Sequence, residues 1–134
     1  MKLSGAMPMF GFGKIKHYRN GKLIDEITFF NTITNAGKAE AAGLFNEARA
    51  GGFKYVAIGS SGTVAAAANT ALAGEITGAG MARVEATCSR TTTTVTNDTA
   101  ELLHTFTATA NQEVKEVGIF DTATSGGTMA GRST

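Results

Sequence analysis

The chain has 134 residues, a formal net charge of +1 and 17% charged residues, which is the size of one ordinary domain. Ala, Gly and Thr fill 59 positions while Ile, Leu, Val and Phe fill only 27, so a folded chain has a thin core and gains from burial against neighbouring subunits. The low net charge argues against disorder and against nucleic-acid binding, no apolar run approaches the roughly 20 residues of a membrane span, and no signal-peptide pattern opens the chain.

Residues 1–13 read as an N-terminal arm ahead of a single domain at 14–134. Met7, Met9, Phe10 and Phe12 are large and apolar, while Gly11 and Gly13 deny them a stable helix. Such a segment is either a first strand on its own domain or an interaction arm lying on another subunit. Asn20-Gly21, between Lys14–Arg19 and Lys22–Phe30, predicts a two-residue hairpin turn. Closing it sets Tyr18 opposite Leu23 and Lys16 opposite Asp25.

Asn35 is the expected cap of the one helix, and Ala41, Leu44, Phe45 and Ala48 fall at the spacing of a single buried face. Gly51-Gly52 is its expected end, and Glu40, Glu47 and Arg49 are expected to be solvated. Gly43 suits a helix only where something approaches closely. Phe53–Ile58 reads as a strand stopped by Gly59-Ser60-Ser61-Gly62, followed by an alanine-rich surface loop and one helical turn at Thr70–Ile76.

Met81–Thr96 alternates, with Ala82, Val84, Ala86 and Cys88 on one side, which makes Cys88 a small core hydrophobe. Asn97-Asp98 is a turn. Thr99–Ala110 reads as a strand with Leu102, His104 and Phe106 on one face, then Val114–Phe120, a loop at Asp121–Gly127 and a last strand at Thr128–Thr134. Strands about every ten residues with a single helix predict a mainly β fold, an antiparallel β-sandwich.

Patterns that carry chemistry are sparse. Gly11-Phe12-Gly13 lacks the third glycine of a dinucleotide fingerprint, and Gly59-Ser60-Ser61-Gly62 misses the spacing of a nucleophile elbow. Cys88 is the only cysteine and sits in no metal-ligand spacing. Glu113, Glu116 and Asp121 read as solvated strand ends. The reading therefore assigns no catalytic residue, no cofactor site and no metal site. One alternative from another class is a small hydrolytic or carbohydrate-binding module using His104 with Glu101, which requires a concave pocket around that pair.

The stretch Phe53-Lys54-Tyr55-Val56-Ala57-Ile58-Gly59-Ser60-Ser61-Gly62 resembles an aromatic, apolar, I-G-x-G signature of tailed-phage virion structural proteins. Thr70-Ala71-Leu72-Ala73-Gly74-Glu75-Ile76 is similar to the T-A-L-x-x-E-I segment that follows it in those families, and Arg83 to the arginine that opens a Thr-rich strand. Glu116-Val117-Gly118-Ile119-Phe120-Asp121 is similar to their E-V-G-I-F box, Gly127–Arg132 to a closing G-x-M-x-x-R, and Asn31–Gly37 to the lead-in to the helix. The likeness runs from Arg19 to Arg132 and departs at Gly131, where relatives carry a β-former.

It implies a non-enzymatic building block of a virion made in the bacterial host cytoplasm, first of all a capsid decoration (cement) protein on the outer head surface. The partners it implies are the chain itself, as a homotrimer or other closed oligomer, and the major capsid protein or tail components, with no nucleic acid or membrane. The alternative is a tail-fibre or tail-appendage adaptor, which is expected to continue into a shaft or tip. In the E-V-G-I-F box, Val117 and Ile119 are expected to fill one strand face while Gly118 leaves room on the other.

Overall fold

The structure is a computed structural model that describes residues 9–134, so Met7 and the rest of the first eight residues lie outside it. In chain order the described residues form β1 (Gly11–Arg19), β2 (Lys22–Ile33), α1 (Asn35–Phe45), β3 (Tyr55–Gly59), β4 (Val84–Glu85), β5 (Thr87–Thr91), β6 (Thr99–Leu103), β7 (Glu116–Phe120) and β8 (Met129–Ser133). Six strands make one antiparallel sheet in the order β1-β2-β8-β7-β3-β4, and β5 and β6 make a separate two-stranded ribbon. The fold is mainly β, antiparallel, with one helix.

The β1–β2 turn is where the sequence puts it. Asn20 and Gly21 take φ of 50° and 73°, the left-handed pair that a type I′ turn needs. Tyr18 faces Leu23, but Lys16 faces Glu26 and not Asp25, because the register shifts between His17 and Tyr18 and leaves Ile24 as an extra residue on β2. Gly11–Gly13, read as part of the arm, belong to β1 and pair with Asn31–Phe29. Beyond its last residues β2 joins the body only through Thr32 and Ile33, so residues 16–28 stand exposed.

Helix α1 departs from its expected form at both ends and on its face. Thr34, not Asn35, is the cap; its hydroxyl accepts from the Gly37 N–H at 2.9 Å. The helix stops at Phe45, with Asn46 as C-cap and Glu47 turning left-handed at φ 60°, well before Gly51-Gly52. Its buried residue is Gly37, where any Cβ would collide with the Ala130 carbonyl. Leu44 and Phe45 remain exposed. The helix therefore meets β8 backbone against backbone at its first turn; of the apolar stripe read from the periodicity, Leu44 and Phe45 are left uncovered, Ala41 is half-buried and Ala48 lies beyond the helix.

Small clusters sit on the two faces of the central strands. Ala57, Phe120, Met129 and Leu72, with Tyr55 against them, form one; Ile58, Ile76 and Met81, with Phe106 and Val117, form the other. In β7 the fully buried face is Glu116, Gly118 and Phe120, while Val117 and Ile119 are half-buried. Space over Gly118 is taken by Leu72 and the Phe120 ring, each 2.9 Å from where a Cβ would stand. Gly131 pairs with both Ile119 and Ile33, so β8 is continuous through it.

Three expected elements change. Thr70–Ile76 forms no helical turn but a bent segment bridged to Gly59 through Glu75. The strand from Thr99 ends at Leu103, and His104 and Ala108 are exposed. The 81–96 strand divides at buried Ala86, whose N–H bonds the Lys54 carbonyl at 2.8 Å, as the chain leaves the main sheet for the ribbon. Alternation past that point no longer reports the core, and Cys88 is exposed rather than packed. A thiol reagent is accordingly expected to label native Cys88 about as fast as the unfolded chain, and Cys88→Ser to shift stability by under about 0.5 kcal/mol. Slow labelling would place the thiol back in a core.

Candidate functional site

The chemistry in this fold is concentrated in three arginines that tie loops to the sheet. Arg132 on β8 neighbours Gly118, which puts its side chain on the β7 face that carries Glu116. The two side chains are 1% and 0% exposed, and Arg132 reaches Glu116 Oε2 through Nε at 2.8 Å and Nη2 at 2.7 Å. Glu116 also accepts from the backbone N–H groups of Ala73 (3.1 Å) and Gly74 (2.6 Å). Arg132 donates onward to the Thr63 carbonyl at 2.8 Å and Asn69 Oδ1 at 2.9 Å. The alanine-rich loop, which lacks large apolar anchors, is thus held to the sheet by charge-assisted hydrogen bonds at both its ends.

Two glycines make room for this pair and the cluster beside it. A Cβ on Gly59 would stand 2.5 Å from Glu116 Oε1 and 2.7 Å from the Gly74 carbonyl, so the glycine of the I-G-x-G stretch marks the seat of a carboxylate. Gly118 plays the same part for Leu72 and Phe120.

Arg83, 4% exposed, grips Glu75 with two bonds of 2.9 and 2.7 Å, and its Nη1 donates to the carbonyls of Thr124 (2.7 Å) and Gly126 (3.2 Å). Its guanidinium lies 3.5 Å above the Phe120 ring, a stacked cation–π contact. Arg49 pairs with Asp121 at 2.5 Å and with Glu40, donates to the Gly51 carbonyl at 2.7 Å and lies over Phe53. Arg49 also packs 3.1 Å from the position of a Cβ on Gly43, the close approach that excuses a glycine in the helix.

The expectation that Glu116, Asp121 and Arg49 are solvated is therefore corrected. Each is drawn inward by a partner far away in sequence. Glu113 is exposed and pairs with Lys115 at 3.0 Å. His104 packs edge-on against Phe106 at 4.7 Å between ring centres, whereas Glu101 accepts from Ser89 Oγ at 2.8 Å, so the two have separate neighbours. Ile58 lies in the second cluster, and Met9, Phe10 and Phe12 are exposed at the root of the β1–β2 hairpin. Among the described residues no group of three His, Cys, Asp or Glu side chains is placed to hold a metal ion. An open cleft of about 770 Å³ separates His17 and Arg19 near the hairpin tip from residues 108–113.

No protein-family model matches the chain, and neither a curated protein nor a solved structure matches it.

A buried ion pair is costly to assemble, but removing one partner strands the other charge, at about 3–5 kcal/mol. Gly59→Ala is expected to displace the Glu116 carboxylate and lower stability by roughly 3 kcal/mol. Gly62→Ala is the control, since a Cβ there meets only Lys115 at 3.7 Å, and should stay within about 0.5 kcal/mol. Urea unfolding of the two variants checks this; equal effects would contradict the assignment.

At the β5–β6 turn, exposed Asp98 accepts from the N–H groups of Val95 (2.8 Å), Thr93 (2.8 Å) and Thr94 (2.9 Å), and these bonds hold its carboxyl well below the ordinary value of 3.8. A lowered folded-state pKa means the turn is supported at every pH above 3.8 and loses that support only as pH falls below it. The amide resonances of Thr93, Thr94 and Val95 should therefore hold their shifts down to that pH and collapse below it. A midpoint above 3.8 would contradict the geometry.

Proposed function

We propose that the chain is a non-enzymatic structural subunit of a tailed-phage virion, acting as a capsid decoration protein on the outer face of the head. The observation that carries this reading is a convergence in space. The segments that resemble phage virion proteins are dispersed over more than a hundred residues, yet they supply the parts of one framework. Gly59 seats the carboxylate of Glu116, Ala73 and Gly74 donate to it, Arg132 pairs with it, and Glu75 pairs with Arg83 over Phe120. Thr34 and Gly37, from the lead-in to the helix, fasten α1 to β8 through the Met129 and Ala130 carbonyls.

Motifs of that kind specify a scaffold rather than a reaction. The only charged clusters they build are saturated by their own partners, and the hydrolytic alternative finds His104 and Glu101 engaged apart. Use as a building block also fits a chain with 27 large aliphatic and Phe residues, of which several are on the surface.

Imaging virions with and without this protein tests the reading. The expected difference is density lost from the outer surface of the head. Loss confined to the tail would replace it with the tail-adaptor reading, and absence of the protein from purified particles would overturn both.

A further inference from the structure

One face of the main sheet changes character along β2. Phe30 and Thr32, two residues apart, share that face with Arg132, which pairs with Thr32, and with Gly118, which pairs with Arg132. Over the central strands the face is covered by Leu72 and by the 63–74 loop that Arg132 holds. Over the hairpin it carries no second layer among the described residues. Phe12 and Phe30, directly opposite each other, are 61% and 81% exposed there, and Tyr18 and Leu23, opposite each other near the turn, are 53% and 43% exposed. Between these two apolar ends Lys16 faces Glu26 and Lys14 faces Thr28.

The other face of the hairpin is less open. The Phe29 ring fills the space over Gly13, Ile15 is half-buried, and His17 and Arg19 border the cleft toward residues 108–113. Ile27 is exposed on it, beside the bulged Ile24.

We propose that the face carrying Phe12 and Phe30 is an interface between two copies of this chain, stacked face to face about a two-fold axis along the strands. Sheets packed in this way lie about 10 Å apart with their strands within about 30° of each other. Such an axis lays β1 over β2 of the second copy, with no choice of register. Each side chain then meets the second copy's version of its own cross-strand neighbour. Phe12 meets Phe30, Tyr18 meets Leu23 and Lys16 meets Glu26, each of them twice. The second ribbon supplies over the hairpin the layer that the 63–74 loop supplies over the body.

Charge selects this axis. The other face-to-face two-fold runs across the strands and lays β1 on β1. Seating its apolar ends on each other sets Lys14 against Lys16 of the second copy, as does edge-to-edge pairing of two β1 strands in full register. Like charges in such contact repel. In the proposed stack Lys16 instead meets a carboxylate, and within its own chain it is the looser partner of Glu26, at 3.7 Å against 2.9 Å for Lys14. Area agrees. At roughly 200 Å² per large side chain, the exposed fractions of the four apolar residues with Lys14, Lys16 and Glu26 offer about 750 Å² per copy, close to the roughly 800 Å² each partner contributes to a stable interface.

The inference concerns the free protein and stands or falls apart from where it sits on a virion. Sedimentation equilibrium at about 50 μM tests it on the wild type, Lys16→Glu and Glu26→Lys, with circular dichroism as the check on folding. The wild type should be a dimer, and each variant should show a dissociation constant raised about tenfold or more, because like charges meet across the stack. An equimolar mixture of the two should form a heterodimer, since each chain offers the other opposite charges at both positions. Within each chain the pair stays like-charged, so recovery in the mixture reports the contact between copies and not the stability of the hairpin.

Disulfide trapping in a Cys88→Ser background gives a second reading should a charge variant lose its fold. Tyr18→Cys mixed with Leu23→Cys should cross-link, and Tyr18→Cys mixed with Phe12→Cys should not. A wild type that is not a dimer, a folded charge variant that dimerises as the wild type does, a mixture of folded variants that stays monomeric, or any other cross-linking pattern overturns the proposal.

Discussion

A single ion pair, Glu116 with Arg132, sets the terms on which the rest of this structure is organised. Both groups sit on the inner face of adjacent strands, fully out of water. Charges in that position must be saturated with partners, and the partners available are backbone groups of the loops that cross over them. The demand of two buried charges for hydrogen bonds thus fixes the course of residues 63–74. It also dictates glycine at position 59, since the carboxylate occupies the volume of a Cβ there.

This arrangement explains how a chain so rich in Ala, Gly and Thr holds long irregular segments in place. The two apolar clusters are small and lie on opposite faces of the central strands, and the irregular segments reach them only through Leu72, Ile76, Met81 and Phe106 among the described residues. Arginines supply further anchors. Arg132 holds the alanine-rich loop, Arg83 the 122–127 loop and Arg49 the chain after α1. Long side chains with planar, multidentate heads suit this use, because one arginine can satisfy several carbonyls while covering a ring with its flat face. Small residues then become an advantage, since they let backbone approach backbone, as Gly37 does against Ala130. The large apolar side chains not needed inside are displayed on the hairpin and on α1.

Much of the β architecture was legible from local signals. Asn20-Gly21 marked its turn because the φ values needed there favour those residues, and the strands at 55–59, 116–120 and 129–133 lie within the short β-rich runs read at Phe53–Ile58, Val114–Phe120 and Thr128–Thr134, to within a residue. What failed depended on contacts distant in sequence. Local spacing could not tell that a glycine, not the Leu44 stripe, faces the sheet, nor that the chain changes sheets at Ala86 and carries Cys88 outward. In β7 Val117 packs on one face and Leu72 with the Phe120 ring fills the room over Gly118 on the other, as the alternation implied, but nothing local showed that Glu116 shares that buried face. The one sequence signal for the ion pair was the placing of Glu116 and Arg132 within the motifs that resemble phage virion proteins, and polarity alone assigned Glu116 to solvent.

The central claim is that Glu116 and Arg132 act as one unit in holding the 63–74 loop on the sheet. A double-mutant cycle with Glu116→Gln and Arg132→Met, read by urea unfolding together with amide exchange at Ala73 and Gly74, tests it most directly. The account predicts that each single change costs about 3–5 kcal/mol, that the double change costs little more than either, and that both amides lose protection in all three variants. Additive losses of about 1 kcal/mol or less, with Ala73 and Gly74 still protected, would contradict it.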